Sequence, residues 1–309
     1  MTMYSVVVPV YNSEHTLETL YERLEKVFDE EMKEPFELLL VDDGSHDHSW
    51  DVMTKLRSRD ERVKIFQMTR NFGQPAAVLC GFHYVSGDII ITMDDDLQHR
   101  PEEIPKMAKV LEERDDVDVV LARYQNRKHN FIRGLGTWVQ MKATTMMLDK
   151  DPDLELTSFR MIRRVIVDAI KDTTVHRPQI GNLLVAFSSR MVNVDVQHDA
   201  RAYGHSGYSF RKLAKTLMYD ITTHTAFPLI VIRDIGIVTF LISLIMGIVI
   251  LVRFFLGHIT VEGWTSMILV MLAMGGLTLL SIGMLGEYLM HVLDETKKNP
   301  HYVVRRKEM

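Results

Sequence analysis

Three consecutive carboxylates, Asp94, Asp95 and Asp96, follow the apolar run Ile89–Met93, with the amide oxygen of Gln98 two residues further on. The run is unbroken in β-branched and apolar residues, as expected of a strand covered on both faces. Side chains alternate along an extended chain, so Asp94 and Asp96 project to one face and Asp95 to the other. Two carboxylates and an amide on one side form a hard-oxygen set. Such a set suits Mg2+ or Mn2+ carrying a substrate diphosphate, because these ions take few protein oxygens and fill the remaining positions with phosphate and water. The plain alternative is an acidic turn exposed to solvent. The buried strand before the carboxylates and the order of elements upstream favour the metal.

That order is an alternation of strands and helices. Tyr4–Val10, Phe36–Val41, Val63–Met68 and Ile89–Met93 read as strands, and a fifth spans Val117–Ala122. Between them the spacing predicts helices from Asn12 or Ser13 to about Glu30, from about Ser49 to Ser58, from Pro75 to about Val85, and from Pro101 onward. Short turns between such elements predict an α/β fold, a mostly parallel sheet with helices on both faces, whose ligand lies at the carboxyl ends of the strands. Polar clusters stand at each of those ends: Tyr11-Asn12, Asp42-Asp43-Gly44-Ser45, Thr69-Arg70-Asn71, the aspartates, and Arg123. No G-x-G-x-x-G follows the first strand and no P-loop occurs, so phosphate charge must be met by a metal and by arginines. Further on, Asn130–Leu148 reads as a helix carrying Arg133, Glu155–Met161 as a strand, Asn182–Ser188 as a helix and Met191–Val196 as a strand.

The chain of 309 residues is 47% hydrophobic and 25% charged, enough for a sizeable core, and its net charge of −5 gives no argument for nucleic acid. One cysteine, Cys80, rules out an internal disulfide framework, and the scattered histidines show no zinc spacing. With only Met1-Thr-Met ahead of the first strand, no cleavable signal peptide is expected. Apolar residues concentrate late in the chain. Ser209 to about Ala226 reads as an amphipathic helix with Arg211, Lys212 and Lys215 off its apolar face, suited to the surface of a lipid bilayer. Ile235–Val252 gives 18 residues and Trp264–Gly286 gives 23 without a charge. Each approaches the roughly 20 residues that cross a bilayer. Basic residues flank the outer ends, which places both termini in the cytoplasm. The expected organisation is a catalytic domain over 1–208, an amphipathic helix and linker over 209–232, two transmembrane helices within 233–290 (about 235–253 and 264–286), and a basic tail over 291–309.

Val8-Pro-Val-Tyr-Asn12, Val41-Asp-Asp-Gly-Ser45, Arg70-Asn-Phe-Gly-Gln74, Met93-Asp-Asp-Asp-Leu-Gln-His99 and Gly204-His-Ser-Gly-Tyr-Ser-Phe210 together resemble the family 2 inverting glycosyltransferases. More narrowly, they are similar to the polyprenyl-phosphate group, which includes dolichyl-phosphate mannose synthase, the bactoprenol glucosyltransferases and the undecaprenyl-phosphate formamido-arabinose transferases. The likeness covers nearly the whole chain. It implies a GT-A fold at the cytoplasmic membrane and transfer of one sugar from a nucleotide sugar, a UDP-sugar foremost, to a polyprenyl phosphate such as undecaprenyl phosphate. The lipid-linked monosaccharide would serve modification of cell-envelope glycans. It also implies a divalent metal and a homo-oligomer, a tetramer among the forms.

Position by position, the resemblance implies that Pro9 and Tyr11 frame the base and that Val41 and Asp43 contact base and ribose. Asp94, Asp96 and Gln98 would hold the metal, with Asp95 in the same turn; Arg123 and Arg133 would meet phosphate. Arg201 would lie near the acceptor, and Arg201, Arg211 and Lys212 would carry charge for the lipid phosphate. Asp96 and Arg201 are thus candidate catalytic residues. Two departures stand out. Gly207 occupies the place of a loop lysine, and Ser158 that of an aspartate given a catalytic role in the bactoprenol branch, which leaves Glu155 as the nearby candidate. A phosphate monoester is already ionised near neutral pH, so positioning and metal could suffice without a base. Competing readings are the same fold acting on another acceptor, against which no Gln-x-x-Arg-Trp is found, and an inactive membrane-anchored binder, against which the acidic cluster is intact.

Overall fold

The computed structural model describes residues 2–124, 153–173, 178–197 and 300–309, the helix Trp264–Thr296, and a few single positions between them. The chain divides into two units, one of residues 1–206 with 298–309 and one of residues 207–297.

The first unit is built on an eight-stranded sheet. Its strands are β1 (Tyr4–Val10), β2 (Phe36–Asp42), β3 (Val63–Met68), β4 (Ile89–Thr92), β5 (Val119–Tyr124), β6 (Arg160–Arg163), β7 (Met191–Val196) and β8 (Val304–Glu308), in the order β7-β5-β6-β4-β1-β2-β3-β8. β4, β1, β2 and β3 are mutually parallel, as the alternation of elements predicts, and β5 pairs parallel with β7. Two strands differ. β6 runs antiparallel to both β4 and β5. The chain leaves β5 and enters β6 at the same edge of the sheet, so β6 must point the other way. β8 is antiparallel to β3 and closes that side of the sheet. The basic tail, expected as an extension, thus supplies an edge strand, and its Arg305, Arg306 and Lys307 suit an edge that must not template further pairing. Arg306 lies over the Trp50 ring, and Arg57 Nη2 donates to the Met309 carbonyl at 2.9 Å.

Helices cover both faces. α1 (Leu17–Lys26), α2 (Ser49–Arg59) and α4 (Ile104–Glu113) pack Leu20, Leu24, Met53 and Met107 onto Val6, Val8, Leu38 and Ile91. α3 (Gln74–Tyr84), α5 (Arg164–Ile170) and α6 (Ile180–Phe187) pack Leu79, Val167 and Leu184 with Val7, Leu39, Ile90 and Ile162. All seven residues of β1 are buried, which is why its sequence shows no polar alternation. Burial on this scale, at roughly 25 cal/mol per Å² of apolar surface, makes the sheet a rigid base for whatever its carboxyl edge carries.

In the second unit, the run Trp264–Gly286 lies within α7 (Trp264–Thr296). Met267, Met271, Ile282, Leu285 and Leu289 of this helix are exposed. Counted over the described residues, no helix is long and apolar enough to cross a membrane. The run Ile235–Val252, the helices expected at Ser209–Ala226 and Asn130–Leu148, and the loop after Arg201 lie outside the described residues, a few single positions apart.

Candidate active site

A cleft of about 270 Å³ opens at the carboxyl ends of β1, β2 and β4. β1 brings Pro9, Val10 and Tyr11 to it, and the end of β2 brings Asp43. The turn between β3 and α3 contributes Asn71, Gly73 and Gln74, and the end of β4 contributes the three aspartates.

The three aspartates lie just past the end of β4, whose last residue is Thr92. Asp95 turns toward β1, where its Oδ2 accepts the Tyr11 N–H at 3.0 Å and the Ser13 hydroxyl. Burial, followed by the charges of Asp94 and Asp96, raises its carboxyl to about 6 against the pull of those two bonds. Asp94 is held at both oxygens: Oδ1 accepts Gln74 Nε2 at 2.5 Å and Oδ2 accepts Ser158 Oγ at 2.8 Å. Its N–H donates to His99 Nδ1 at 2.9 Å, so the ring proton sits on Nε2, 2.8 Å from the Tyr124 oxygen. His99 is buried and stacked against Phe159 and Tyr124. Asp96 Oδ1 accepts the Gln98 N–H at 3.1 Å, and Leu97 between them takes a left-handed φ of 62°.

Asp43 is 3% exposed, and its two oxygens accept the N–H groups of Phe72 and Gly73 at 2.6 and 2.8 Å. Burial raises its carboxyl, the two N–H bonds oppose this, and Asp42 adds to the rise. The turns after β2 and β3 meet closely. A Cβ on Gly44 would lie 2.8 Å from the Arg70 carbonyl carbon and 2.9 Å from the Asn71 nitrogen, and Gly44 has a φ of +72°. Only glycine fits there.

Of the residues singled out in the sequence, Pro9, Tyr11, Asp43, Asp94, Asp95 and Asp96 line one cleft. Gln98 lies in the same turn as the aspartates, with its carbonyl accepting the Asp199 N–H at 3.1 Å. Val41 is fully buried in the core and does not line the cleft. Arg123 points to β7, with Nε 2.5 Å from Asp195 Oδ1, and Glu155 is tied through its backbone to Asn193, at 2.8 and 2.9 Å. Neither lines the cleft. Arg133, Arg201, Arg211 and Lys212 lie outside the described residues. Gln74, Ser13, His99 and Ser158 were not chosen from the sequence as site residues. Gln74 and His99 stand inside the quoted motifs, which was the available signal.

The donor chemistry fits a divalent cation of the magnesium or manganese type, since the side chains at the cluster are hard oxygens. Among the described residues no group of three acidic, histidine or cysteine side chains forms a complete cage. An ion that binds through few carboxylates plus substrate phosphate and water requires none.

Comparison with known proteins agrees with this geometry. Residues 5–171 match the family described as Glycosyl transferase family 2. An uncharacterized glycosyltransferase of Bacillus subtilis (strain 168) is 34% identical over 307 residues, covering 98% of this chain and 93% of that one. The undecaprenyl-phosphate 4-deoxy-4-formamido-L-arabinose transferase of Proteus mirabilis (strain HI4320) is 33% identical over 310 residues, covering 98% and 93%. The crystal structure of glucosyl-3-phosphoglycerate synthase from Mycobacterium tuberculosis, in complex with Mn2+, UDP and glucosyl-3-phosphoglycerate, superposes with a TM-score of 0.51. It is 17% identical and covers 72% of this chain and 78% of that one, a likeness of fold. The chain belongs to glycosyltransferase family 2, an enzyme that carries its acidic cluster at the carboxyl edge of a GT-A sheet.

Proposed function

We propose that the protein transfers one sugar from a UDP-sugar to a polyprenyl phosphate, undecaprenyl phosphate being the reference acceptor, with inversion at the anomeric carbon. The observation that carries the reading is the cleft itself, where Tyr11 and Asp43 stand beside Asp94 and Asp96. The relatives named as undecaprenyl-phosphate transferases support the acceptor, because their likeness runs through 98% of this chain. The Mn2+ and UDP in the mycobacterial synthase support the donor and the metal.

In this reading Pro9 and Tyr11 flank the base. Asp43, fixed by two N–H groups with acceptor capacity to spare, takes ribose hydroxyls. Asp94, Asp96 and Gln98 hold Mg2+ or Mn2+, which when bound offsets the charge growing on the departing nucleoside diphosphate. The acceptor phosphate is largely ionised at neutral pH, its second pKa being about 6, so one of its oxygens attacks without a base and alignment is what the protein supplies. Arg133, Arg201, Arg211 and Lys212 are proposed to meet phosphate, for which a guanidinium fork is well shaped.

Membrane attachment is supported by the exposed apolar side chains of α7, such as Met271 and Leu285. A second support is topological. β8 pairs with β3, so the chain returns from residues 207–297 to the sheet it left. That return supports an even number of bilayer crossings within the segment, as in a hairpin, and the flanking basic residues support the cytoplasmic side for both ends. The test is UDP release from full-length protein in detergent with Mn2+. The reading predicts release that requires both a UDP-sugar and undecaprenyl phosphate. Release indifferent to the lipid contradicts it.

A further inference from the structure

β6 runs antiparallel to β4 with Thr92 opposite Arg160. Continuing that register two residues past the strand ends sets Ser158 opposite Asp94, and side chains directly opposite in an antiparallel pair are close enough to touch. The contact is made, with Ser158 Oγ 2.8 Å from Asp94 Oδ2. Gln74 Nε2, from the first turn of α3, reaches the other oxygen at 2.5 Å. Ser158 is itself pinned, since its carbonyl accepts Thr92 Oγ1 at 2.7 Å and Arg160 Nε at 3.4 Å. Arg160 is 7% exposed and its Nη1 has no hydrogen-bond partner. A buried guanidinium thus stands behind the serine.

We propose that Ser158 is a positioning residue for the metal-binding carboxylate. With Gln74 it grips Asp94 from both sides and fixes which lone pairs face the metal and diphosphate. The inference rests on the sugar-transfer reading and assigns position 158 to the donor side of the reaction. The terminal torsion of an aspartate is broad, so an ungripped Asp94 carboxylate would sample many orientations. Each carboxylate oxygen has about two acceptor sites, so one bond to Ser158 and one to Gln74 leave a site on each oxygen for the metal. A hydroxyl whose proton is already given to Asp94 is not placed to take one from an acceptor. Outer partners of metal ligands orient them, and their loss costs about 10–100-fold in metal affinity.

The experiment is calorimetric titration of Mn2+ into full-length protein in detergent with UDP present, on wild type, Ser158→Ala and Ser158→Thr. The expected result is Mn2+ binding weakened about tenfold or more by Ser158→Ala, and largely restored by Ser158→Thr, which keeps the hydroxyl. A merely structural role would not follow the hydroxyl. Equal Mn2+ affinity in wild type and Ser158→Ala overturns the inference, as does a threonine variant no better than alanine. The two readings fail separately. Wild-type protein that binds Mn2+ and UDP but transfers no sugar to lipid removes the proposed function and leaves the grip on Asp94 standing. Metal-free transfer by a wild type that binds no Mn2+ does the reverse.

Discussion

Tyr11 and Asp95 are joined tip to tip: the backbone N–H of Tyr11 donates to Oδ2 of Asp95 at 3.0 Å, locking the end of β1 to the end of β4. The residue proposed to frame the base is thus held by the middle aspartate of the cluster. Asp95→Ala would leave the Tyr11 N–H without its acceptor and the Ser13 hydroxyl with only the Tyr11 carbonyl, at 3.3 Å. Removing one partner from such a set costs about 1–3 kcal/mol. Expressed in donor binding, this is about a tenfold rise in KM for the nucleotide sugar, with kcat less affected, and steady-state kinetics with varied donor would measure it.

Gly44 offers a steric prediction. Its φ of +72° and the 2.8 Å approach of a notional Cβ to the Arg70 carbonyl carbon leave no room for a side chain. Gly44→Ala would pay a left-handed backbone cost of about 1–2 kcal/mol and would push apart the turns that carry Asp43 and Asn71. A lower melting temperature together with weaker UDP binding is expected. Unchanged UDP affinity would mean that those turns are independent of the nucleotide.

Away from the site, Glu37 gives a pH dependence. It is 3% exposed; Oε1 accepts the Ser5 hydroxyl and the Ser86 N–H at 2.5 Å each, and Oε2 accepts Lys64 Nζ at 2.5 Å. Burial works to raise its carboxyl, but these bonds and the Lys64 charge outweigh it and hold the group below the usual range. A folded-state value below the unfolded one means that the stabilisation is complete above the unfolded pKa, about 4.3, and is lost as pH falls through the folded value. Glu37→Gln should therefore lower the urea midpoint near neutral pH, by about 1–3 kcal/mol of stability. The gap between the two proteins should narrow in acid below that range.

The tail makes a fourth prediction. Removing residues 303–309 would strip β8 from β3 and break the bond from the Thr69 N–H to the Val303 carbonyl, at 2.9 Å. An uncovered parallel edge pairs readily with other chains. The truncated protein is expected to melt earlier and to scatter light on warming, in the same detergent in which the full chain stays clear.

Much of this arrangement was legible from the residues. Continuous apolar runs marked β1, β2 and β4. What could not be read were relations across long stretches of chain. Ser158 meets Asp94 because of the direction of β6, and a short strand's direction leaves no mark in its sequence. β8 is mostly charged, Val-Arg-Arg-Lys-Glu, and resembles a solvated tail until a partner edge is known. Arg123 stands at a strand end, as a phosphate ligand would, yet its neighbour across the ladder is Asp195, and that register was hidden.

The measurement that bears most directly on the central claim is the mass spectrum of lipid extracted after incubation of the full-length protein with Mn2+, undecaprenyl phosphate and a panel of UDP-, GDP- and dTDP-sugars, run beside Asp96→Ala. The account predicts a new lipid heavier than the acceptor by one sugar residue, formed from a UDP-sugar and absent with Asp96→Ala. Nucleotide-sugar binding with no lipid product from any donor, or an equal yield from Asp96→Ala, would contradict it.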